Sequence, residues 1–291
     1  MEKYMLGDVI AEGQFGIVRE ARCKGTDALV ALKLVRVASL AGALPHPLAR
    51  EVLIATRVCH PHVVSAVEVF AHRNTVVFVM ERGAADLASR LTQHSFYDPM
   101  PLRVGRRLFR MLLAALEYLH QQHILHRDVK PSNCMLSVEG ILKLGDFGLS
   151  RMRDDVDMSH EVASRWYRAP ELLFGQRRYG PEIDMWSAGC ILAEILRGCE
   201  GALFPGDGDI NQISKIFDVL GSPTENTWPG VAALPLWGKV HFEPRPGCGL
   251  REIFPRSSDA AIDLLSKLLS LDPTVRISAK DSMKHPFFSD L

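Results

Sequence analysis

The segment HRDVKPSN at residues 126–133, followed by GDFG at residues 145–148, limits the interpretation of this sequence more than any other stretch. Seven of its positions belong to one fixed pattern: His126, Arg127, Asp128, Asn133, Asp146, Phe147 and Gly148. With about one chance in twenty at each position, such a match arises by accident only roughly once in a billion registers. A polar turn with a salt-bridged aspartate is the alternative, and the joint match argues against it.

The residue types in these two segments suit the transfer of a phosphoryl group. Asp128 can accept a proton from a hydroxyl group and orient its oxygen for in-line attack. Asn133 and Asp146 offer hard oxygen ligands to Mg²⁺, which neutralises charge on phosphates. Lys130, two residues from Asp128, is placed to stabilise a γ-phosphate as charge shifts during transfer.

A glycine-containing segment, IAEGQFGIV at residues 10–18, lies between two strand-like runs. Gly13 and Gly16 would let backbone N–H groups approach phosphate oxygens closely. An ordinary glycine hairpin explains the same fragment when it is considered without the rest of the chain. Ala11 stands where the pattern GxGxxG has its first glycine, and its methyl group should weaken the approach of a phosphate without preventing it.

Lys33 lies in the apolar run VALK and is predicted to form a buried ion pair. A buried ammonium group needs a nearby anion, because an unpaired buried charge is costly. Glu51, on a predicted helix, is the natural counter-ion, and the two together would hold the α- and β-phosphates of a nucleotide. Alternatively, Lys33 extends from an edge strand into water.

The hydrophobic pattern predicts two unlike halves. Residues 1–80 are rich in β-branched residues and predict a small antiparallel sheet, with a single helix over 46–58. From about residue 100 the apolar residues recur at helical spacing. In RVGRRLFRMLLAALEYLHQQH they predict one buried stripe that comprises Val104, Leu108, Met111, Leu112, Ala115, Leu116 and Leu119. Residues 81–87 would be the hinge, and the cleft beside a hinge is a usual ligand site.

The composition excludes several classes of function. The 34 lysines and arginines balance the 34 aspartates and glutamates, so no basic field indicates a nucleic-acid partner. The six cysteines are scattered and predict reduced thiols. The first residues lack a signal-peptide pattern and no apolar run is long enough for a membrane span, so we expect a soluble intracellular protein in the cytoplasm or nucleus with no membrane partner.

These segments resemble the eukaryotic protein kinase family, which also has APE (169–171), DMWSAG (184–189) and a late arginine, here Arg276. The likeness covers nearly the whole chain and implies an α+β, bilobal protein kinase fold over residues 1–288. Its parts would be a sheet lobe (1–80), the hinge (81–87) and a mainly helical lobe (88–288) with an insert at about 200–250. It also implies that Asp184 steadies the loop around Asp128 and that Glu171 pairs with Arg276.

The resemblance implies ATP and Mg²⁺ as cofactors, with Asp128, Lys130, Lys33 and Glu51 as the catalytic group. Met80 matches the position behind the adenine, and Glu81 and Arg82 would offer backbone groups to it. The residues expected to contact the nucleotide are Ile10, Ala11, Glu12, Gly13, Gln14, Phe15, Gly16, Ile17, Val18, Ala31, Lys33, Met80, Glu81, Arg82, Asp86, Asn133 and Asp146.

Within that family the chain resembles the cyclin-dependent kinase group. The likeness rests on WYRAPE (166–171), the Arg50-Glu51 pair and the insert that runs from LFPGDGDINQI (203–213) to LGSPT (220–224). The segments VASRWYRAPELL and WPGVAALPLWGKVHF are most similar to the cell-cycle-related kinase branch, which is linked to the cell cycle and to cilia or flagella. The group phosphorylates Ser or Thr followed by proline, and Ala163 and Arg168 match positions that shape its proline-accepting pocket.

Ser159 matches the activating phosphorylation position of the group. A phosphate there adds about −2 charge, and Arg50, Arg127 and Arg151 could receive it. We therefore expect an upstream kinase as a partner and activation by phosphorylation of Ser159. The competing interpretation is that these are three ordinary surface arginines.

Two departures from the group pattern affect regulation. Gln14 and Phe15 replace an inhibitory Thr-Tyr pair, so inhibition by phosphorylation should be absent there. The segment PHPLARE (45–51) only loosely resembles the cyclin-binding motif, which leaves open whether a cyclin or another activating subunit is required. Protein substrates with Ser/Thr-Pro sites are the remaining expected partners.

Two other functional classes compete with an active enzyme of this group. A pseudokinase or scaffold would keep the fold without a chemical need for the complete set of Lys33, Glu51, Asp128, Asn133 and Asp146. A mitogen-activated-protein-kinase-like enzyme shares WYRAPE and Arg165, but the segment before it contains Met-Ser-His rather than T-x-Y. An active serine/threonine kinase is therefore the main prediction.

Overall fold

The computed structural model describes residues 1–13, 16–39, 43–93, 100–153 and 156–289. The first part of the chain forms an antiparallel sheet of five strands in the order β1-β2-β3-β5-β4. The strands are β1 (Tyr4–Gly13), β2 (Gly16–Cys23), β3 (Leu29–Arg36), β4 (Ala66–His72) and β5 (Thr75–Glu81). The predicted sheet is confirmed, and it follows from the β-branched runs that these strands contain.

Helix α1 (His46–Arg57) packs against this sheet, as predicted from the sequence. Pro47 lies in its first turn, where a missing N–H costs nothing. The helix buries Leu48, Ile54 and Ala55 on the face that also carries Glu51. Because the carboxylate of Glu51 thereby enters the interior, it needs a charged partner there.

The second part of the chain is mainly helical. Its helices are α2 (Leu87–Thr92), α3 (Leu102–Gln121), α4 (Pro170–Leu173), α5 (Glu182–Arg197), α6 (Asp209–Leu220), α7 (Leu250–Ile253), α8 (Asp259–Leu268) and α9 (Ala279–Ser282). Short strands pair beside them: β6 (Ala85–Asp86) with β8 (Cys134–Leu136), β8 with β9 (Leu142–Leu144), and β7 (Ile124–Leu125) with β10 (Arg151–Met152). These strands hold the loops that carry HRD and GDFG.

Helix α3 buries six of the seven residues of its predicted stripe, but the prediction is wrong for Val104, which is 41% exposed. Val104 lies in the first turn of α3, beside the exposed Leu102, before the helix enters the core. Helix α5 is buried at every position from Ile183 to Ile195, as expected for the central helix of a lobe.

The chain crosses between the two lobes within the predicted hinge. Glu81 ends β5, and Ala85 and Asp86 already pair with β8 of the second lobe. The crossing segment itself therefore comprises residues 82–84. Within the described ranges, none of the helices has the length and apolar character needed to cross a bilayer.

Candidate active site

A cavity of about 330 Å³ lies between the sheet and the helical lobe. It is lined by most of the residues expected to contact a nucleotide: Ile10, Ala11, Glu12, Gly13, Gly16, Val18, Ala31, Lys33, Met80, Glu81, Arg82, Asp86, Asn133 and Asp146. Ile17 instead lines a separate surface pocket, because side chains alternate along β2 and its neighbour Val18 faces the cavity. Gln14 and Phe15 lie outside the described residues.

The apolar walls of the cavity include residues that the sequence did not single out. Val64, Ala66 and Phe78 line it from the sheet lobe, and Met135 on β8 lines it from the second lobe. Their apolar side chains carry no chemical signal that separates them from core residues. Met135 was the easiest of them to predict, because it lies only two residues after Asn133 in the sequence.

The hairpin between β1 and β2 requires glycine at one end and leaves space at the other. Gly16 has a φ of 118°, and a Cβ there would lie 2.3 Å from the carbonyl oxygen of Leu34. Neither the backbone angle nor the space admits a side chain. At Gly13, by contrast, an added Cβ would meet no atom within 4 Å among the described residues. The backbone at Gly13 is thus open to a phosphate group.

Lys33 forms two ion pairs, one within the sheet lobe and one with the second lobe. Its Nζ lies 2.6 Å from Oε1 of Glu51 on α1 and 2.7 Å from Oδ1 of Asp146 in the second lobe. The side chains of Lys33 and Glu51 are buried, whereas that of Asp146 is about one-third exposed, at 32%. Three residues from distant parts of the sequence therefore meet at one wall of the cavity, and they include the pair of Lys33 with Glu51 that the sequence predicts.

The charges in this group determine its protonation. Burial by itself would lower the pKa of Lys33, but the negative charges of Asp146 and Glu51 outweigh burial and raise that pKa. Burial tends to raise the pKa of Asp146, and the charge of Lys33 more than offsets it, so the pKa of Asp146 is lowered. At Glu51 burial prevails and raises the pKa. Lys33 is therefore cationic and Asp146 anionic at neutral pH.

Asp184, at the start of α5, fixes the backbone of the HRD loop. Its carboxylate accepts hydrogen bonds from the N–H groups of His126 at 2.9 Å and Arg127 at 2.8 Å. Nε2 of His120 lies 3.0 Å from the same carboxylate. Arg127 has a φ of 65°, an uncommon conformation for a non-glycine residue, so these bonds hold a strained loop in place. The role that the resemblance implied for Asp184 matches this geometry.

Asp128 is held by three side chains around it. Nζ of Lys130 lies 2.8 Å from its Oδ2, and Nδ2 of Asn133 donates to the same oxygen at 3.1 Å. Ser164 donates both its backbone N–H and its hydroxyl to Oδ1, each at 3.0 Å. Nζ of Lys130 also donates to the hydroxyl of Ser164 at 3.0 Å. The carboxylate is thus oriented from two sides.

Ser164 is a site residue that the sequence reasoning did not select. It lies in VASRWYRAPE, which supplied the resemblance, but no role was assigned to it. A hydroxyl residue just before WYRAPE was the available signal. Its contact with Asp128 spans 36 positions of sequence and depends on how the intervening segment folds back.

The donors in the cavity fit a magnesium ion that is shared with phosphates. Among the described residues, no group of three or more His, Cys, Asp or Glu side chains could hold a metal by itself. Asp146 and Asn133 provide two oxygen ligands, and Asn133 already uses its amide nitrogen to bond Asp128. Mg²⁺ commonly takes one or two such protein ligands and completes its shell with phosphate oxygens and water. The residues present therefore suit that arrangement.

The pair predicted between Glu171 and Arg276 lies in the interior of the second lobe. Nη1 and Nη2 of Arg276 donate to the two carboxylate oxygens of Glu171 at 2.7 and 3.0 Å, and both side chains are fully buried. The guanidinium group also lies 5.2 Å from the ring centre of Trp186. Such a two-point pair fixes the APE segment to the helical core, so its role is structural.

The residues predicted to respond to phosphorylation lie on three separate elements. Arg50 is on α1, Arg127 is in the HRD loop and Arg151 is on β10, while Ser159 is exposed. Arg127 donates through Nε to the carbonyl of Leu149 at 2.7 Å. The hydroxyl of Ser159 accepts a hydrogen bond from the N–H of Glu161 at 3.3 Å.

Comparison with known proteins finds relatives that match nearly the whole chain. The model of the protein kinase domain matches residues 4–288. Cyclin-dependent kinase 7 of Dictyostelium discoideum is 38% identical over 99% of this chain and 80% of that protein. Cyclin-dependent kinase 20 of Danio rerio is 38% identical over 99% and 84%, and cell division control protein 2 homolog 3 of Trypanosoma brucei brucei is 37% identical over 99% and 93%. The predicted resemblance to cyclin-dependent kinases is confirmed.

Proposed function

Since the chain belongs to the protein kinase family and is a serine/threonine kinase of the cyclin-dependent type, we propose that it phosphorylates Ser or Thr residues that precede proline and that phosphorylation of Ser159 raises this activity. The observation that carries the substrate proposal is the backbone conformation of Ala163. The regulatory proposal depends on the arginines near Ser159.

The side chains of the cavity, together with Asp128 and Lys130 of the HRD loop, support these roles in phosphoryl transfer. Lys33 would hold the phosphates of ATP, and Glu51 keeps its ammonium group in position. Asn133 and Asp146 would hold Mg²⁺, which supplies positive charge to the phosphate oxygens. Asp128 accepts the proton of the substrate hydroxyl and orients its oxygen, while Lys130 stabilises the charge that develops on the transferred group.

The peptide-binding segment supports a preference for proline after the acceptor. Ala163 has a φ of 63°, and its carbonyl oxygen accepts a hydrogen bond from Nη2 of Arg168 at 3.1 Å. Nε of Arg168 bonds the carbonyl of Val162 at 2.8 Å. A substrate N–H that faces these occupied carbonyls would lose its bond to water without a replacement. Proline has no N–H to leave unpaired, so it is the residue least penalised there.

The charges around Ser159 support activation by phosphorylation. Arg127 and Arg151 both lie close enough to Tyr179 to oppose the rise in its pKa, and Tyr179 bonds the backbone of Ser159. A phosphate on Ser159 would therefore enter a region of positive charge and form charge-assisted hydrogen bonds. Arg50 precedes Glu51 on α1, so a bond to it would also stabilise the Lys33–Glu51 pair.

Two of the relatives are named cyclin-dependent kinases, and we propose that this chain also depends on a cyclin. Leu53 on α1 is 41% exposed although the helix otherwise buries its apolar face. A regulatory subunit that packs on the outer face of α1 could cover it. Activity of the purified chain that does not rise when cyclins from the same organism are added would argue against this extension.

The decisive experiment is a kinase assay with the purified chain, Mg-ATP and a peptide library in which every position around Ser or Thr is varied. We expect incorporation that favours proline directly after the acceptor. Asp128→Asn should lower it by at least about a thousandfold, because the proton acceptor and the charge are both removed. Asp27 is an exposed aspartate with a φ of 57°. Asp27→Asn is therefore the matched control and should retain full activity.

The outcomes separate the competing functions. Full incorporation in Asp128→Asn would contradict the role of Asp128 as proton acceptor, and a library signal without selection for proline would overturn the substrate proposal. Absence of any signal, in a chain that still binds ATP, carries a phosphate on Ser159 and is supplied with a cyclin, would favour a scaffold. Equal activity of Ser159→Ala and of the chain phosphorylated at Ser159 would overturn the regulatory proposal.

A further inference from the structure

Residues 177–179, between α4 and α5, hold the segment that contains Ser159. The N–H of Met158 donates to the carbonyl of Arg177 at 2.9 Å, and the guanidinium group of Arg178 lies 3.0 Å from Asp157. Met158 is also buried, with 2% of its surface exposed. These contacts fix the residues just before the phosphorylation position, although Ser159 itself is exposed.

Tyr179 adds a contact of a different kind, because it joins this segment to the HRD loop. Nη1 of Arg127 donates to the hydroxyl oxygen of Tyr179 at 3.0 Å, and that hydroxyl donates to the carbonyl of Ser159. Tyr179 is 6% exposed and Arg127 is also 6% exposed, so the bonds are shielded from water. Burial raises the pKa of Tyr179 even though the charge of Arg127 opposes the rise, and the hydroxyl therefore stays protonated as a donor.

We propose that Tyr179 is a positioning residue that fixes the backbone of Ser159 to Arg127 in the unphosphorylated chain and so supports basal activity. This inference deepens the proposed function and rests on it. Arg127 directly precedes Asp128, and its guanidinium group reaches the phosphorylation position only through the tyrosine hydroxyl in the described contacts. Tyr179 thus provides before phosphorylation a connection that a phosphate group could provide afterwards.

The position of Ser159 matters for catalysis because Ser164, only five residues later in the chain, bonds Asp128 through two donors. Between them, Val162 and Ala163 are buried. A displacement at Ser159 would therefore be transmitted over a short, partly buried segment to the residue that orients the proton acceptor. Once a phosphate on Ser159 bonds the arginines directly, the hydroxyl of Tyr179 should contribute much less to the position of Ser159.

The test compares Tyr179→Phe with the unaltered chain, each prepared with serine, alanine or genetically encoded phosphoserine at position 159. With serine or alanine, we expect Tyr179→Phe to lower kcat/KM for a peptide substrate roughly tenfold, with the KM for ATP unchanged, because the hydroxyl that bonds both Arg127 and Ser159 is lost. With phosphoserine the loss should shrink to within about twofold. Tyr4→Phe, which removes a tyrosine hydroxyl bonded to Glu68 in the sheet lobe, is the matched control and should change neither value.

Hydrogen exchange provides a readout that does not depend on turnover. We expect the amides of residues 158–164 to exchange faster in Tyr179→Phe than in the unaltered chain, while α5 keeps its protection. Unchanged exchange in this segment, or an equal loss of activity with serine and phosphoserine at position 159, would overturn the inference. If Ser159 phosphorylation failed to activate the unaltered chain, the regulatory proposal would fail while the exchange result still tested the contact.

Discussion

At the residue scale, the orientation of Asp128 depends on a hydroxyl group as well as on charge. Lys130 neutralises one oxygen of the carboxylate, and Ser164 occupies the other with two donors. Since a carboxylate without directed donors can rotate about its terminal torsion, the serine restricts the direction from which a proton is accepted. Ser164 therefore acts through Asp128 and Lys130 as a positioning residue.

We expect Ser164→Ala to lower kcat roughly tenfold with little change in the KM for ATP, because the substitution removes the hydroxyl that bonds both Asp128 and Lys130 near the reacting group. Steady-state kinetics with a peptide substrate measure the effect. Ser164→Thr keeps the hydroxyl and should recover most of the activity. Equal losses in the alanine and threonine variants would show that packing, rather than the hydroxyl, is required.

A second residue-scale prediction concerns Glu194, a buried carboxylic acid on α5 that is 7% exposed. Burial raises its pKa to about 7, although the hydroxyl of Tyr167 and the charge of Arg197 lower it in part. The pKa of Glu194 in the folded chain is higher than its ordinary value of 4.5. The protonated carboxyl group therefore contributes its full stabilisation of the fold below pH 4.5, and this contribution is lost as pH rises through about 7.

Glu194→Gln should therefore stabilise the chain more at pH 8.5 than at pH 5.5, by on the order of 2 kcal/mol. Urea unfolding followed across this pH range measures the difference. Glu252→Gln, at an exposed position on α7, is the control and should give a profile parallel to that of the unaltered chain. A parallel profile for Glu194→Gln as well would contradict the assignment of a raised pKa.

The residues that the sequence identifies lie in short local segments, whereas those that it misses depend on contacts between distant parts of the chain. Asp128, Asn133 and Asp146 lie in short segments whose residue types and spacing are fixed by chemistry, so they can be recognised locally. The bond between Arg127 and Tyr179 spans 52 positions, and neither residue type predicts it. Val104 fits the helical period of α3, but where the helix enters the core depends on tertiary packing.

At the element scale, the hairpin of β1 and β2 has unequal requirements at its two glycines. Gly16 lies directly against the backbone of β3, whereas a Cβ at Gly13 would meet none of the described residues within 4 Å. The glycine pattern in the sequence could not distinguish these two roles, because the difference arises from the neighbouring strand. One glycine therefore serves the packing of the sheet, and the other leaves room for a ligand.

This difference predicts opposite phenotypes for a matched pair of substitutions. Gly16→Ala should destabilise the chain by about 1–3 kcal/mol, since its Cβ would collide with the carbonyl of Leu34 and its φ of 118° disfavours alanine. Gly13→Ala should leave the stability nearly unchanged and raise the KM for ATP. Thermal unfolding and steady-state kinetics on both variants check this, and equal effects on stability would contradict the assignment.

At the scale of the whole molecule, the two lobes have separate hydrophobic cores of unequal size. The described part of the sheet lobe contains two clusters of four buried residues each, one of which includes Leu32 and the other Phe78. The cluster of the helical lobe extends from α3 through α5 to α9. It also takes in Ile54 from α1, so this helix contacts both cores.

Unequal cores predict that the sheet opens before the helical lobe does. Amides of β3 should exchange with solvent at least about tenfold faster than those of α5, because sub-global opening releases only the smaller cores.

The Lys33–Asp146 pair and a bound nucleotide connect the lobes, so a non-hydrolysable ATP analogue with Mg²⁺ at about one hundred times its Kd should stabilise β3 by up to about 2.7 kcal/mol. Hydrogen exchange with mass spectrometry measures both effects, and Lys33→Met should lose most of the gain. Equal protection of β3 and α5 without nucleotide would contradict this prediction and show that the lobes unfold as one cooperative unit.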